Sequence, residues 1–225
     1  EFVEQMEASG VEMLCFAKVT LPLPTSKVNY RNHRKILVVD GKVGFLGGVN
    51  IADRYYYGNE QGAWHVTHMK VVGESVISLQ ASFFLDRYFI LNRKIRKRKK
   101  YFPQLDISKS GEQEGERKIA TQTVVCGPDS NWASIMQCFF SAITVARNHI
   151  YIVSPYFTPN ESILNAIKIA ALGNIDVRIM LPDKSDTRLA HYSTMSYISE
   201  LLEAGVKIYE FTPGEDTTRS NYTMC

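Results

Sequence analysis

Short runs of β-branched and aromatic residues alternate along this chain with longer stretches whose apolar positions recur every three or four residues. The short runs predict strands at Val11–Phe16, Ile36–Val39, Val43–Leu46, Val66–Val72, Ile119–Val125, Ile150–Ser154, Ile175–Leu181 and Val206–Phe211. The longer pattern predicts a helix over Asn131–Arg147, with Ile135, Phe139 and Ile143, joined by Met136 and Phe140, on one face. A second helix, Asn160–Leu172, turns Ile163 and Ile167 inward and is stopped by Gly173; a third runs from about Asp186 to Ala204 and ends at Gly205. Strands interleaved with helices, several of them apolar on both faces, imply an α/β sheet covered on two sides.

The pattern breaks between Asn92 and Lys118, where a basic run passes into a polar, glycine-containing stretch with little to bury. The expected organisation is therefore 1–91, a linker over 92–118, and 119–225. A short echo joins the two sides. Ser9-Gly-Val-Glu-Met and Ala204-Gly-Val-Lys-Ile each leave a helix and enter a strand, 195 residues apart, with Phe16 answering Phe211.

Composition sharpens this picture in three places. With 45% hydrophobic and 22% charged residues, the chain of 225 residues is globular rather than disordered. The net charge of +3 says little about partners, but seven cations fall within eight positions: Arg93, Lys94, Arg96, Lys97, Arg98, Lys99 and Lys100. Without them the remainder is mildly acidic, so one concentrated basic segment rides on an acidic body. Such a run is either a solvated linker or a contact with anionic head groups, where each cation contributes roughly 1 kcal/mol; Tyr88, Phe89, Tyr101 and Phe102 beside it suit an interface. No apolar run approaches the ~18 residues of a membrane-spanning helix. The first residue is Glu, which suggests a fragment or a processed piece. Cys15, Cys126, Cys138 and Cys225 are too irregularly spaced for a disulfide framework or a zinc site, and read as buried or free thiols in a reducing compartment.

The candidate chemistry lies in Asn29–Asn50, NYRNHRKILVVDGKVGFLGGVN. His33, Lys35 and Asp40 form H-x-K-x4-D, and Gly47, Gly48 and Asn50 follow. If the strand starts at Lys35, His33 and Lys35 project from one face. An imidazole beside an ammonium suits attack on a phosphate ester: the ring acts as nucleophile while the lysine offsets charge on the non-bridging oxygens. The glycines permit close backbone approach, and the Asn50 amide can donate to phosphate. Taken alone, H-x-K followed by Asp-Gly describes an ordinary hairpin; the complete spacing through Asn50 favours the chemical reading.

This segment resembles the HKD motif of the phospholipase D superfamily, and RNHRKILVVDG…GGVNIADRYY resembles its bacterial cardiolipin synthase form. WHVTHMKVVG, VVCGPD, SPYFTPN, VRIMLP and LEAGVKIY fit the same family in order, over nearly the whole chain. The resemblance implies a phospholipase D-like α/β fold of two similar halves, each a mixed β-sheet flanked by helices, here incomplete at both ends. It implies phosphatidyl transfer without metal or other cofactor. One histidine forms a phosphohistidine, a second protonates the leaving alcohol, and two phosphatidylglycerol molecules yield cardiolipin and glycerol. By position, His33 carries over as nucleophile or general acid/base and Lys35 and Asn50 as phosphate ligands. Asp40 is the motif aspartate of the catalytic set, with a structural part. The partners implied are anionic phospholipid, phosphatidylglycerol above all, and a membrane surface, with no nucleic acid. The implied location is the cytoplasmic face of a bacterial cytoplasmic membrane.

The chain departs from that family in several ways. No histidine occurs in Glu215–Cys225, and the 195-residue offset would put the counterpart of His33 at about position 228, just past the end. The opening strands and membrane-spanning segments usual in that family do not occur within these 225 residues, in keeping with the expected fragment. Val66 stands where the family has an aspartate expected to hold the motif histidine's ring, which predicts that a Val66→Asp variant gains activity. Two other functions are open on this sequence: a metal-independent nuclease, which the basic run would suit, and an inactive lipid-binding piece with a single motif. His65 and His68 read as structural or solvent-facing, and His149 and His191 receive no role. Tyr156 and Phe157 are expected to be core or cleft-wall aromatics.

Overall fold

The fold is that of a computed structural model, which describes residues 2–16, 32–58, 66–93, 98–104, 119–127, 131–183, 188–212 and 221–224. In chain order the elements are α1 (Phe2–Ala8), β1 (Ile36–Val39), β2 (Val43–Gly47), α2 (Arg54–Tyr57), β3 (His68–Val72), α3 (Ser75–Leu91), α4 (Arg98–Tyr101), α5 (Ser134–Val145), β4 (His149–Val153), α6 (Glu161–Leu172), β5 (Asp176–Pro182), α7 (Arg188–Glu203), β6 (Lys207–Thr212) and β7 (Asn221–Met224). They form two compact units. One comprises 1–50 with 66–128, and the other 51–65 with 129–225.

In the first unit, β1, β2 and β3 make a three-stranded antiparallel sheet. Asp40 and Gly41 take φ values of 53° and 68°, and Lys42 N–H donates to the Val39 carbonyl at 3.0 Å. Asp40 and Gly41 are the left-handed centre of the turn, as Asp-Gly favours, and Lys42 completes a three-residue connection, since Val39 pairs with Val43. α3 covers one face of the sheet, burying Val76, Leu79 and Phe84. Gly44 makes the fit possible, since a Cβ there would lie 2.8 Å from Leu79 Cδ1. The segment after α4 straps onto the same helix: Gln80 Nε2 donates to the Tyr101 carbonyl at 2.9 Å, and the Tyr101 and Phe102 rings lie 5.0 and 5.7 Å from that of Phe84. The opposite sheet face is open. Leu37, Val39 and Val72, on that face by register, are 57%, 45% and 60% exposed.

The second unit carries the larger core. β4, β5 and β6 run parallel and β7 joins antiparallel, in the order β4-β5-β6-β7, so the mixed sheet lies here. Val177, Ile179 and Leu181 of β5 and Ile208 of β6 pack with Leu164 and Ile167 of α6, Leu201 of α7 and Ile143 of α5. The helices begin and stop for local reasons. The Asn160 side chain accepts from Ile163 N–H at 2.9 Å, which caps α6. At its other end Gly173 is not the left-handed residue; Asn174 is, at φ 64°, with Ile175 N–H reaching the Ala170 carbonyl.

The echo noted in the sequence is a shared piece of geometry. Gly10 and Gly205 have φ of 84° and 89°, and Val11 and Val206 N–H reach back to the Met6 and Leu201 carbonyls at 3.1 and 3.0 Å. Gly10 and Gly205 N–H donate to Glu7 and Leu202 at 2.9 Å in both cases. Each pair of bonds is a Schellman cap.

Two expectations need correction, and one helix, α3, was not expected. Val11–Phe16 and Ile119–Val125 are not strands: their residues favour extended backbone, but among the described residues no ladder pairs with them, and a strand exists only through its partner. The apolar face expected on α5 is mostly open. Ile143 is buried, whereas Ile135 and Phe139 are 41% and 63% exposed. Finally, α3 carries no period-3.6 stripe, being apolar almost all round, and so gives no amphipathic signal.

Candidate active site

His33 and Lys35 lie in the extended segment that leads into β1. The Lys35 ammonium donates to the His33 carbonyl at 2.7 Å and stands 3.5 Å from the ring Nδ1. The two side chains therefore share a side, as the two-residue spacing predicts, although the strand itself begins at Ile36. The segment is fixed from its flanks. Arg34, between them, points the other way and binds both oxygens of Asp86 on α3 at 3.0 and 3.1 Å, and its second amino group donates to the Cys126 carbonyl at 3.0 Å. Asn32 donates to the same carboxylate at 2.7 Å. Asp86 is thus a site residue that motif reading missed. Its signal was a carboxylate in a mostly apolar helical stretch, which calls for a cationic partner.

Register brings the glycine segment to the same end of the sheet. Ile36 faces Leu46 and Gly47 faces His68, so the segment carrying His33 and Lys35, the Gly47-Gly48 pair and His68 lie at that end, and Asn50 follows two residues after Gly48. Gly48 N–H donates to the Thr67 carbonyl at 3.1 Å. A Cβ on Gly48 would meet Val66 Cγ1 at 2.6 Å, so the valine at the expected aspartate position packs its methyl group on the glycine segment. Asp40 is not part of this cluster: it occupies the hairpin turn, beyond the whole length of β1.

Of the basic run, Arg93, Lys99 and Lys100 are exposed, and Lys100 Nζ lies 5.7 Å from the Tyr101 ring centre. Arg98 opens α4; Lys94, Arg96 and Lys97 lie outside the described residues. The neighbouring aromatics divide. Tyr101 and Phe102 pack on Phe84, whereas Phe89 is 62% exposed. Phe157 belongs to the core of the second unit, its N–H donating to Thr194 Oγ1 at 3.3 Å, and Tyr156 is half exposed. His149 and His191 each lie against a tyrosine, Tyr151 and Tyr192, and His65 is outside the described residues. Among the described residues, Cys15, Cys126 and Cys138 form no disulfide.

The second unit gathers cations too, with a different outcome. Asp176 accepts from Arg178 Nε at 2.9 Å, from Lys207 Nζ at 2.8 Å and from the Tyr151 hydroxyl at 3.0 Å. The Arg178 bond, then that of Lys207, holds the carboxyl well below the usual carboxylate range.

Comparison with known proteins shows what the chain is similar to. Residues 139–223 match the family described as "Cardiolipin synthase, PLD-like domain". The fold resembles that of the phosphatidylserine synthase of Haemophilus influenzae, with a TM-score of 0.51 and 15% identity over 82% of this chain and 49% of that one. The chain is phospholipase D-like. More particularly, it is cardiolipin synthase-like along nearly its whole length. Over 95% of its residues it is 43% identical to a cardiolipin synthase of Geobacillus thermodenitrificans and 44% identical to one of Alkalihalophilus pseudofirmus. It spans 41% of the length of each of these relatives.

Proposed function

We propose that the protein carrying this chain is a cardiolipin synthase-type phosphatidyltransferase, joining two phosphatidylglycerol molecules into cardiolipin and glycerol. The observation that carries the reading is the Lys35 ammonium 3.5 Å from the His33 ring on an exposed sheet end. The names of the relatives support the same reaction class.

The steps follow from ordinary phosphoryl chemistry. A histidine nitrogen forms a bond to phosphorus as the P–O bond to one glycerol breaks, and a second acid/base protonates that glycerol. A hydroxyl of another phosphatidylglycerol then attacks phosphorus, its proton passes to the base, and the N–P bond breaks. His33 is one of the two histidines. While Lys35 donates towards Nδ1, the neutral ring carries its proton on Nε2; to act as an acid the ring holds protons on both nitrogens and gives the one on Nε2 to the leaving alkoxide, returning to neutral imidazole. When phosphate arrives, its oxygens draw the ammonium away, Nδ1 can hold the proton, and Nε2 becomes the nucleophilic atom. Lys35 and the Asn50 amide hold the non-bridging oxygens. Asp40 acts at a distance, shaping the turn that sets the hairpin register. Exposed Arg93, Lys99 and Lys100 contribute to attraction by an anionic bilayer, together with Lys94, Arg96, Lys97 and Arg98. We place the reaction at the cytoplasmic face of a bacterial membrane; no helix among the described residues is long and apolar enough to cross one.

The test is to incubate the protein carrying this chain with phosphatidylglycerol vesicles and, separately, with single-stranded DNA in EDTA. Cardiolipin and glycerol in equal amounts, with intact DNA, is the expected result. DNA cleavage without lipid conversion would replace this reading with a nuclease.

A further inference from the structure

His68 begins β3 directly across from Gly47, and its ring fills the space that the glycine leaves: a Cβ on Gly47 would lie 2.6 Å from His68 Nδ1. The same Nδ1 accepts a hydrogen bond from Val49 N–H at 3.4 Å. Together with the bond from Gly48 N–H to Thr67, this pins two successive amides of the Gly-Gly segment to the start of β3. The residue that follows is Asn50.

We infer that His68 is a positioning residue for the phosphate site: by accepting from Val49 N–H it fixes the backbone from which Asn50 presents its amide. The inference rests on the phosphatidyl-transfer reading for its consequence in catalysis, though not for the contact itself. The requirement is for an acceptor at the Nδ1 position and a neutral ring, with the proton on Nε2. Gly47 has a reason beyond turn geometry as well, since a Cβ there would lie 2.5 Å from the Thr67 carbonyl oxygen and 2.6 Å from His68 Cα, in addition to crowding the ring.

The experiment uses three substitutions in the protein that carries this chain. His68→Asn keeps an acceptor near the Nδ1 position, His68→Gln moves it out to the Nε2 position, and His68→Ala removes it. Amide hydrogen exchange at Val49 should quicken in the Ala and Gln variants and stay slow in the Asn variant. For cardiolipin formation kcat/KM should fall about tenfold in the Ala and Gln variants, as the loss of one hydrogen bond allows, with Asn within about threefold of the parent. Unchanged Val49 exchange in His68→Ala overturns the contact. Quickened exchange with unchanged kcat/KM overturns the positioning role. A parallel His33→Ala variant separates the two ideas: its full activity would overturn the transfer reading, while Val49 exchange still decides the contact.

Discussion

Both sheets pack one face under helices and leave cations on or beside the other, yet they treat those cations differently. In the second unit Tyr151, Arg178 and Lys207 stand side by side across three parallel strands, and Asp176 binds all three. In the first unit Lys35 stands at the end of the sheet beside the His33 ring and Lys70 sits midway along β3, and among the described residues no carboxylate pairs with either lysine. Asp86 is bound by Arg34 from the α3 side. A cation with a built-in counter-ion organises strands; one without is left to meet an anion from outside. The charge arrangement, more than the fold, separates structural from chemical use of the same kind of surface.

Removing the unpaired cation should have the largest effect. Lys35→Ala is expected to lower kcat for phosphatidyl transfer by about 100-fold or more, the scale for losing one donor to a developing phosphoryl charge, with the melting temperature unchanged. Steady-state kinetics and calorimetry check both halves of that statement. A smaller effect should follow from giving the first sheet the counter-ion of the second. Leu37 lies two residues from Lys35 on the open face, as Asp176 lies two residues from Arg178. Leu37→Asp should raise KM about two- to fivefold, the worth of an exposed ion pair, and Leu37→Asn should leave it unaltered.

The smallest effect concerns the built-in pair itself. Because the carboxyl of Asp176 is depressed in the folded protein, its contribution is complete above the ordinary carboxylate pKa of about 4 and is lost as pH falls below it. Thermal melts taken from pH 6 downward should show that loss, and Asp176→Asn should remove that part of the dependence. The change is small, since the cluster is exposed to solvent.

These contrasts also show what could be read from residues alone. The hairpin was legible because Asp40-Gly41 encodes its own turn, and the His33–Lys35 pair because a two-residue spacing in extended chain needs no tertiary knowledge. The parallel strands were legible from their β-branched runs. Val11–Phe16 was misread for an instructive reason: it follows the same Schellman cap as Val206–Phe211, but a cap only releases the chain, and a strand also needs a neighbour. Asp86 and His68 were invisible as site residues because their roles depend on what faces them, Arg34 for one and Gly47 for the other. α3 went unseen because its apolar residues fall on every side of the helix and leave no stripe to detect.

The most direct test of the central claim, that the imidazole of His33 takes part at phosphorus, is cardiolipin formation by a His33→Ala variant of the protein that carries this chain. A fall of about 1,000-fold or more, with vesicle binding and melting temperature retained, is the predicted result. Turnover within twofold of the parent would contradict it.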